Sequence, residues 1–341
     1  MGEKQQYVDA LCSELRGRCA EQPHPLRTVY FGGGTPTILS IAQLSAIVDT
    51  IRAHFDTSQI QEATIEANPE DLTPQFLSDL RSLHFFNRVS IGIQSFHDDD
   101  LRVLNRRHNA AQAQAAVINA RQAGFDNISI DLIYGLPGQD LEAWRHNLRQ
   151  LESLPVSHFS AYSLTVEDGT MLQRQIELGK IVPASEQMAF QHYYALLSWA
   201  AAHGFEQYEI SNFCKPGMRS RHNSRYWDRT PYLGVGAAAH SFDGRCRRWN
   251  VADVQRYISN QEYDTEALSP TDAFNEYIMT ALRTTAGINK QMIPAEYQSY
   301  LQKAIGRFVA HNLIEDTPTH YRPTREGLLH ADGMSAALFL S

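Results

Sequence analysis

Cysteine, long apolar runs and excess positive charge are all scarce in this sequence. Four cysteines among 341 residues are too few for a disulfide-built secreted domain and favour a reducing cytoplasm. No stretch approaches the roughly 18 apolar residues of a membrane span, and the polar start Met-Gly-Glu-Lys predicts no signal peptide. Lysine and arginine number 30 against 38 aspartates and glutamates, a formal net charge of −8, whereas nucleic-acid-binding proteins normally carry a basic excess. We therefore expect a cytoplasmic globular protein that does not bind nucleic acid.

Over the first part of the chain, short apolar runs alternate with segments of helical periodicity. The runs are rich in β-branched and aromatic residues and are bounded by Gly, Pro, Asn or Asp, as buried strands are. They cover residues 28–31, 63–66, 88–94, 128–133 and 159–164, and a sixth is predicted at 206–210. Helical segments cover 7–19, 41–55, 74–83, 110–123, 141–154 and 185–203. This order predicts an α/β fold with parallel strands and right-handed crossovers, and about six units form an incomplete βα barrel.

The remainder of the chain differs in composition and in predicted secondary structure. Residues 212–250 are loop-rich and dense in arginine, glycine and aromatic side chains, and helices are predicted near 274–282 and 297–311. We expect a partial barrel over 1–211, an arginine- and aromatic-rich segment over 212–265, and a small, mostly helical, winged-helix-like domain over 266–341. A winged helix would normally suggest DNA binding, but the acidic balance favours a structural role.

Polar residues stand at the carboxyl ends of successive predicted strands, where βα barrels gather their functional groups. A glycine triplet in Gly32–Pro36 follows the first strand, and the next three strands end at or carry Glu66, Gln94 and Asp131. Adjacent glycines present bare amides to anionic groups, and a buried carboxylate is costly without a partner or ligand. Singly, a tight turn or satisfied core polar groups would explain them. Together they predict a polar cup for a cofactor with a ribose, an amine and a carboxylate, with Arg106 able to reach over its rim.

Seven motifs along the chain resemble those of a known family. They are Phe31-Gly-Gly-Gly-Thr-Pro36, Glu66-Ala-Asn-Pro69, Val89-Ser-Ile-Gly-Ile-Gln-Ser95, Asp131-Leu-Ile-Tyr-Gly-Leu-Pro-Gly-Gln139, Tyr208-Glu-Ile-Ser-Asn212, His222-Asn-Ser-Arg-Tyr-Trp227 and Tyr232-Leu-Gly-Val-Gly-Ala-Ala-Ala-His-Ser241. The first four resemble the S-adenosylmethionine-binding strands of radical SAM proteins. More specifically, they resemble the family of oxygen-independent coproporphyrinogen III oxidases and the related heme chaperone HemW. The last three favour the HemW side, and the resemblance covers nearly the whole chain.

The resemblance implies a partial barrel of the radical SAM type with two kinds of ligand. Positions that match the family's motifs imply S-adenosylmethionine contacts from Gly33, Gly34, Thr35, Glu66, Gln94, Arg106 and Asp131. The later motif implies heme binding by His222, Asn223, Tyr226 and Trp227.

Members of this family also hold a 4Fe–4S cluster with three cysteines spaced C-x3-C-x2-C, because clustered thiolates are its ligands. This sequence has Cys12, Cys19, Cys214 and Cys246, and none of them forms such a triplet. The first strand and the cluster loop of the family's barrel are thus absent. We expect that Met1 is an internal methionine of a longer protein, because a barrel without its first strand leaves an open sheet edge. A shortened, cluster-free descendant is the alternative, and in either case we expect no radical chemistry from the sequence as written.

The segment from residue 219 to 249 combines arginines with aromatic side chains. The guanidinium group of arginine can form paired hydrogen bonds with a propionate carboxylate, and aromatic rings can stack on a flat macrocycle. His222 is the first candidate for an axial ligand of heme iron, and His240 is the second. A histidine that hydrogen-bonds across loops is the alternative for both. The arginines of the segment are Arg219, Arg221, Arg225, Arg245, Arg247 and Arg248, and its aromatic residues include Tyr226, Trp227, Tyr232 and Trp249.

The leading hypothesis is a heme-binding chaperone that passes heme to an acceptor protein and through it makes a peripheral contact with a membrane. The resemblance implies S-adenosylmethionine as a cofactor and a 4Fe–4S cluster in the complete family member only. Oxygen-independent decarboxylation of coproporphyrinogen III is the first alternative. The second is a barrel enzyme that acts on a phosphorylated metabolite at the glycine turn. No catalytic residue is assigned.

Overall fold

The computed structural model describes residues 2–340. A seven-stranded sheet with the order β1-β2-β3-β4-β5-β7-β6 forms the main body, and β1 to β5 are parallel. The strands are β1 (Thr28–Phe31), β2 (Glu62–Ala67), β3 (Arg88–Gln94), β4 (Asn127–Tyr134), β5 (His158–Ser163), β6 (Glu206–Gln207) and β7 (Asn212–Cys214). The helices of this part are α1 (Glu3–Arg18), α2 (Ile41–His54), α3 (Pro74–Ser82), α4 (Asp98–Val103), α5 (Ala110–Gln122), α6 (Leu141–Ser153), α7 (Met171–Glu177) and α8 (Glu186–Ala202).

Local sequence signals explain where several of these helices begin. The Ser40 side chain accepts a hydrogen bond from the Gln43 amide at 3.3 Å, and the Thr73 side chain accepts one from the Phe76 amide at 3.2 Å. Such N-caps satisfy backbone donors that the first turn of a helix leaves free. The predicted bounds of these helices therefore agree with the structure to within one residue.

Side chains alternate along the parallel strands, and the two faces of the sheet differ in polarity. The face toward the helices is apolar and joins the main hydrophobic core, with Ile65, Val89, Ile91, Ile93, Ile128, Ile130, Leu132 and Phe159 all buried there. The opposite face, which lines the lumen of the partial barrel, carries Tyr30, Thr64, Glu66, Arg88, Ser90, Ser129, Asp131, His158 and Ser160. Because strand side chains alternate with a period of two, an apolar shell encloses a polar lumen.

The end of the sheet differs in part from the sequence prediction. Strand β6 occupies only the first two residues of the predicted sixth strand, and β7, which was not predicted, lies between it and β5. Strand β7 is antiparallel to both neighbours. Only four residues connect β6 to β7, and a connection that short joins antiparallel strands, since parallel pairs need a crossover of a dozen or more residues.

The segment predicted to be loop-rich contains ordered elements, and the rest of the chain adds a small sheet with helices. In the segment lie α9 (Arg221–Trp227) and part of a three-stranded antiparallel sheet, β8 (His240–Phe242), β9 (Cys246–Asn250) and β10 (Tyr263–Ala267), with α10 (Val254–Asn260). The C-terminal part comprises α11 (Pro270–Leu282), β11 (Ile288–Asn289), α12 (Ala295–Ala310), β12 (Ile314–Asp316), β13 (His320–Pro323), α13 (Arg325–Leu329) and α14 (Ala331–Leu338). Within residues 2–340, no helix is long and apolar enough to cross a membrane.

A buried carboxylate joins α1 to the second half of the chain. Glu14 is 2% exposed, and its Oε1 accepts hydrogen bonds from Arg18 Nη1 at 2.9 Å and Asn250 Nδ2 at 2.8 Å. Its Oε2 accepts hydrogen bonds from the Gly236 amide at 2.9 Å and the Tyr257 hydroxyl at 2.7 Å. Three of these four donors lie more than 200 residues away in sequence, so one side chain ties α1 to the segment around β8, β9 and α10.

Candidate functional site

Glu66 lies near the carboxyl end of β2 and faces the lumen. Its Oε1 accepts a hydrogen bond from the Tyr30 hydroxyl at 2.6 Å, and its Oε2 accepts one from the Gly33 amide at 3.2 Å. Gly33 has a φ of +78°, and a Cβ placed on Gly32 would lie 2.8 Å from the Glu66 carboxyl carbon. Burial, and then the neighbouring Glu66 charge, raise the pKa of Tyr30 far above its ordinary value. The glycine turn is therefore required by its close approach to this carboxylate.

Arg106 crosses β3 at the same end of the sheet. Its Nη2 donates to the Gly92 carbonyl at 3.0 Å and to Asn68 Oδ1 at 2.9 Å. The Asn68 amide in turn donates to Thr35 Oγ1 at 3.2 Å. A Cβ placed on Gly92 would lie 3.0 Å from Gln94 Nε2 and 3.3 Å from Arg106 Nη2. The side-chain amide of Gln94 and the guanidinium of Arg106 thus both lie beside Gly92, the residue of β3 that has no side chain.

Asp131 adds a second carboxyl group to the lumen. Burial raises its pKa to about 6, the hydrogen bond with Ser160 acts in the opposite direction, and the Glu66 charge raises it further. Ser160 Oγ also lies 2.8 Å from Asn212 Oδ1. Two carboxyl groups in one polar site favour a ligand that carries a positive charge or hydroxyl groups.

The structure thus collects the residues that the sequence singled out at one end of the sheet. Gly34 lies on the same turn, with open space where a Cβ would be. Sequence reasoning missed Tyr30, Asn68 and Ser160, which hydrogen-bond to the predicted residues or lie beside them. The signal that could have found two of them is strand parity, since Tyr30 and Ser160 alternate with apolar residues on β1 and β5.

His222 lies on α9, which packs against β1. Its Nδ1 is 2.9 Å from Thr28 Oγ1, and its Nε2 is 3.0 Å from the Tyr226 hydroxyl. The imidazole stacks on the Tyr30 ring with 4.9 Å between centroids. Burial lowers the pKa of His222 to about 4, although the Glu62 charge acts in the opposite direction. The imidazole is therefore neutral near pH 7, and both nitrogens have polar neighbours.

The other residues predicted around His222 lie in different environments. The Asn223 amide donates to the Ser220 side chain at 3.3 Å and so forms part of the α9 N-cap. The indole N–H of Trp227 is buried without a hydrogen-bond partner among residues 2–340. His240 is exposed on β8 and stacks on Trp249 at 6.1 Å. The structure therefore joins His222 directly to Tyr226 and places His240 on a separate element.

Carboxylates engage part of the arginine set that the sequence offered for propionate groups. Arg247 Nη2 lies 2.7 Å from Glu276 Oε1. Arg248 Nη1 lies 3.7 Å from Glu21 Oε1, and its guanidinium lies 3.6 Å above the Tyr263 ring. Arg247 and Arg248 therefore already interact with carboxylates of this chain. The arginines of this set that form no ion pair within residues 2–340 are Arg219, Arg221, Arg225 and Arg245.

The four cysteines do not form a cluster-binding set. Cys12 and Cys214 are buried, Cys19 is half-buried and Cys246 is exposed. Among residues 2–340, no group of three His, Cys, Asp or Glu side chains could hold a metal ion. The donors described here therefore do not fit a 4Fe–4S cluster, which takes several closely spaced thiolates.

Comparisons with known proteins agree with the sequence motifs and with the fold. The Radical SAM superfamily model matches residues 14–151, and the HemN C-terminal domain model matches residues 268–330. The heme chaperone HemW of Bacillus subtilis is 39% identical over 301 residues, which cover 86% of this chain and 79% of that protein. The Escherichia coli heme chaperone HemW is 33% identical over 290 residues, which cover 81% and 74%. The coproporphyrinogen III oxidase HemN from Escherichia coli, a radical SAM enzyme, matches in structure with a TM-score of 0.84 at 22% identity, over 98% of this chain and 83% of that one. The predicted α/β partial barrel is confirmed.

Proposed function

This chain belongs to the HemW family of radical SAM proteins, and on that premise we propose that it binds heme and passes it to an acceptor protein. The observation that supports this proposal is His222, a neutral imidazole held on α9 with Nε2 directed at a hydroxyl group. Neutral imidazole is the usual histidine ligand of heme iron. In this proposal His222 ligates the iron, and Asn223, Tyr226 and Trp227 form the rest of the site.

The hydrogen bonds of His222 favour ligation through Nε2. With its proton on Nδ1, the ring donates to Thr28 Oγ1, and the Nε2 lone pair accepts a hydrogen bond from Tyr226. A hydrogen bond that holds the proton on one ring nitrogen leaves the lone pair of the other nitrogen available to a metal. Tyr226 is 41% exposed, so its hydroxyl can leave Nε2 and hydrogen-bond to water when iron takes its place.

We propose that the polar cup holds S-adenosylmethionine, which supplies a cationic sulfonium centre. Arg106 offers N–H donors to its carboxylate, while Glu66 and Asp131 offer acceptors to its hydroxyl and ammonium groups. The chemistry of these donors and acceptors suits that molecule. The full set consists of Gly33, Gly34, Thr35, Glu66, Gln94, Arg106 and Asp131.

The two enzymatic alternatives have less support. Decarboxylation of coproporphyrinogen III is supported by a structural likeness at 22% identity, which concerns the fold alone, and by the match of residues 268–330 to the HemN C-terminal domain, whereas the two relatives described above, at 39% and 33% identity, are heme chaperones HemW. A phosphorylated metabolite at the glycine turn conflicts with the Gly33 amide, which already donates to the Glu66 carboxylate. An anionic phosphate at that position would meet a carboxylate of the same charge.

Hemin titration tests the heme proposal. We expect a Soret shift and stoichiometric binding in the parent protein, and at least a tenfold weaker affinity in His222→Ala. Tyr226→Phe frees Nε2 from its competing hydrogen bond and should bind hemin at least as tightly as the parent. His311→Ala, which changes an exposed histidine at the end of α12, is the matched control. Unchanged spectra and affinity in His222→Ala would remove this residue from the proposal.

Equilibrium dialysis with radiolabelled S-adenosylmethionine tests the cofactor site independently of any activity. Glu66→Gln should weaken binding about tenfold, because one charge-assisted hydrogen bond is worth roughly 1.5–3 kcal/mol. Glu142→Gln, on the outer surface of α6, is the control and should bind as the parent does. Equal affinities in the two variants would contradict a role for Glu66.

A further inference from the structure

Arg88, at the start of β3, is a buried arginine that has no counter-ion among residues 2–340. It is 2% exposed, and its Nε has no hydrogen-bond partner among residues 2–340. No carboxylate in that part of the chain lies within ion-pair distance of its guanidinium. Arginine keeps its proton at all ordinary pH values, and a buried charge without a partner is costly. A bound anion at this position would therefore offset the cost of burying the Arg88 charge.

Two further unsatisfied polar groups flank Arg88 at the same level of the sheet. Thr64 on β2 and Asn127 on β4 are its partners in strand register. Thr64 Oγ1 and Asn127 Oδ1 are both buried without hydrogen-bond partners in the described chain. These three residues, the Thr64–Arg88–Asn127 row, offer a guanidinium, a hydroxyl and an amide side by side on the lumen face.

The nearby carboxylates are already engaged by other groups. Glu62 accepts hydrogen bonds from the backbone amides of Arg221 and His222, both at 2.9 Å, and from the Ser220 hydroxyl at 3.3 Å. Glu66 accepts the hydrogen bonds of Tyr30 and the glycine turn. The lumen therefore holds a cation that interacts with Asp131 only at longer range and has no direct counter-ion among residues 2–340.

We propose that the Thr64–Arg88–Asn127 row binds a carboxylate, and that in the loaded protein this carboxylate is a propionate of the porphyrin. The identity of the ligand rests on the proposed heme binding by His222. A guanidinium fork matches a carboxylate with two parallel hydrogen bonds, and the threonine hydroxyl adds a donor beside it. The Asn127 side chain, whose Oδ1 is unpaired among residues 2–340, donates to the carboxylate only after its amide group turns its NH2 toward the anion.

The position of the row relative to His222 supports a shared ligand. The His222 ring stacks on Tyr30, and Tyr30 is the register partner of Thr64, which is itself the register partner of Arg88. Neighbouring strands are about 4.8 Å apart, so the Arg88 backbone lies roughly 10 Å from that of Tyr30. An arginine side chain and a propionate arm, which extend toward each other, can span that interval. Asn127 is half-buried as a whole residue, although its Oδ1 is enclosed, and it is the least buried member of the row.

Hemin and its dimethyl ester, which lacks the propionate charges, separate this proposal from the heme proposal. We expect the parent protein to bind hemin about tenfold more tightly than the ester, since a charged hydrogen-bonded pair is worth roughly that factor. Arg88→Gln should bind both ligands with the affinity of the ester. Arg102→Gln, which changes an exposed side chain on α4, is the control and should keep the preference. Thr64→Val, which keeps the side-chain shape, should reduce the preference about threefold and provides a second test if Arg88→Gln does not fold.

Each remaining outcome contradicts one of the two proposals. A preference for hemin that persists in Arg88→Gln overturns the carboxylate site while heme binding stands. If the parent binds neither ligand, the heme proposal fails, and sodium propionate then tests the row by itself. Propionate should raise the thermal midpoint of the parent and not that of Arg88→Gln. Without that difference, the row holds water only, and the carboxylate site is wrong.

Discussion

Glu14→Gln tests how strongly a single buried carboxylate holds α1 to the rest of the chain. The substitution keeps the size of the side chain but turns one acceptor oxygen into an NH2 group. Placed at the Oε2 position, that group faces the Gly236 amide, a donor that then has no partner. Tyr257 can rotate its hydroxyl and accept instead, whereas Arg18 loses a buried counter-ion at 2.9 Å.

The expected loss follows from those changes. A buried donor without a partner costs about 1–3 kcal/mol, and breaking a buried ion pair costs about 3–5 kcal/mol. Arg18 keeps its hydrogen bonds to Glu21 and to the Gly234 carbonyl, which places the free energy of unfolding about 3–4 kcal/mol below that of the parent. Urea unfolding at pH 7 measures this loss as a lower midpoint at an unchanged m-value.

Glu21→Gln is the matched control, because Glu21 also pairs with Arg18, at 2.8 Å, but its side chain is 47% exposed. An exposed pair contributes about 0–1 kcal/mol. The reasoning is refuted if the two variants lose the same stability. Hydrogen exchange at the Gly236 amide adds a local readout and should accelerate in Glu14→Gln alone.

Three further predictions concern pH and backbone geometry. Folding lowers the pKa of His222 from 6.5 to about 4, so the unfolded chain takes up the proton first and stability falls as the pH drops from about 6.5 to 4, by up to about 3 kcal/mol. His222→Gln should lack that part of the acid loss in urea titrations at pH 7 and pH 4.5, and a loss equal to the parent's would contradict the shift. Folding raises the pKa of Asp131 from 3.8 to about 6, so this group costs stability as the pH rises from about 4 to 6. Asp131→Asn should therefore be more stable than the parent by about 2 kcal/mol at pH 7.5 and equal to it near pH 3.5, and a variant without this gain would contradict the prediction. Gly287 has a φ of +71°, and its Cβ would overlap the Tyr321 carbonyl, so Gly287→Ala should cost at least about 2 kcal/mol and lower the thermal midpoint, whereas Gly306→Ala, in open space, should not.

Much of the sheet could be predicted from the sequence, because the signals that define its strands are local. The bounds of β1 and β3 agree with the predicted runs, since Gly, Pro, Asn and polar residues flank both. The residues of the candidate cofactor site also follow from local position, because the carboxyl ends of parallel strands meet at one edge of a sheet. Strand β7 escaped prediction because it has three residues, too few for a periodic pattern to show.

The surroundings of His222 could not be predicted, because they depend on packing between distant parts of the chain. The imidazole contacts Thr28, which lies 194 residues earlier, and no local pattern encodes that contact. The sequence pattern identifies Arg88 only as the first residue of a strand. That it has no counter-ion among residues 2–340 depends on which side chains the neighbouring strands place beside it.

The separation of the apolar shell from the polar lumen has a consequence for how this scaffold can diversify. The apolar side chains that form the main core point toward the helices, while the side chains of the candidate ligand site point the other way along the same strands. A substitution at a lumen position therefore removes no apolar side chain from the shell. Descendants of such a protein can change their polar lumen without repacking the hydrophobic core.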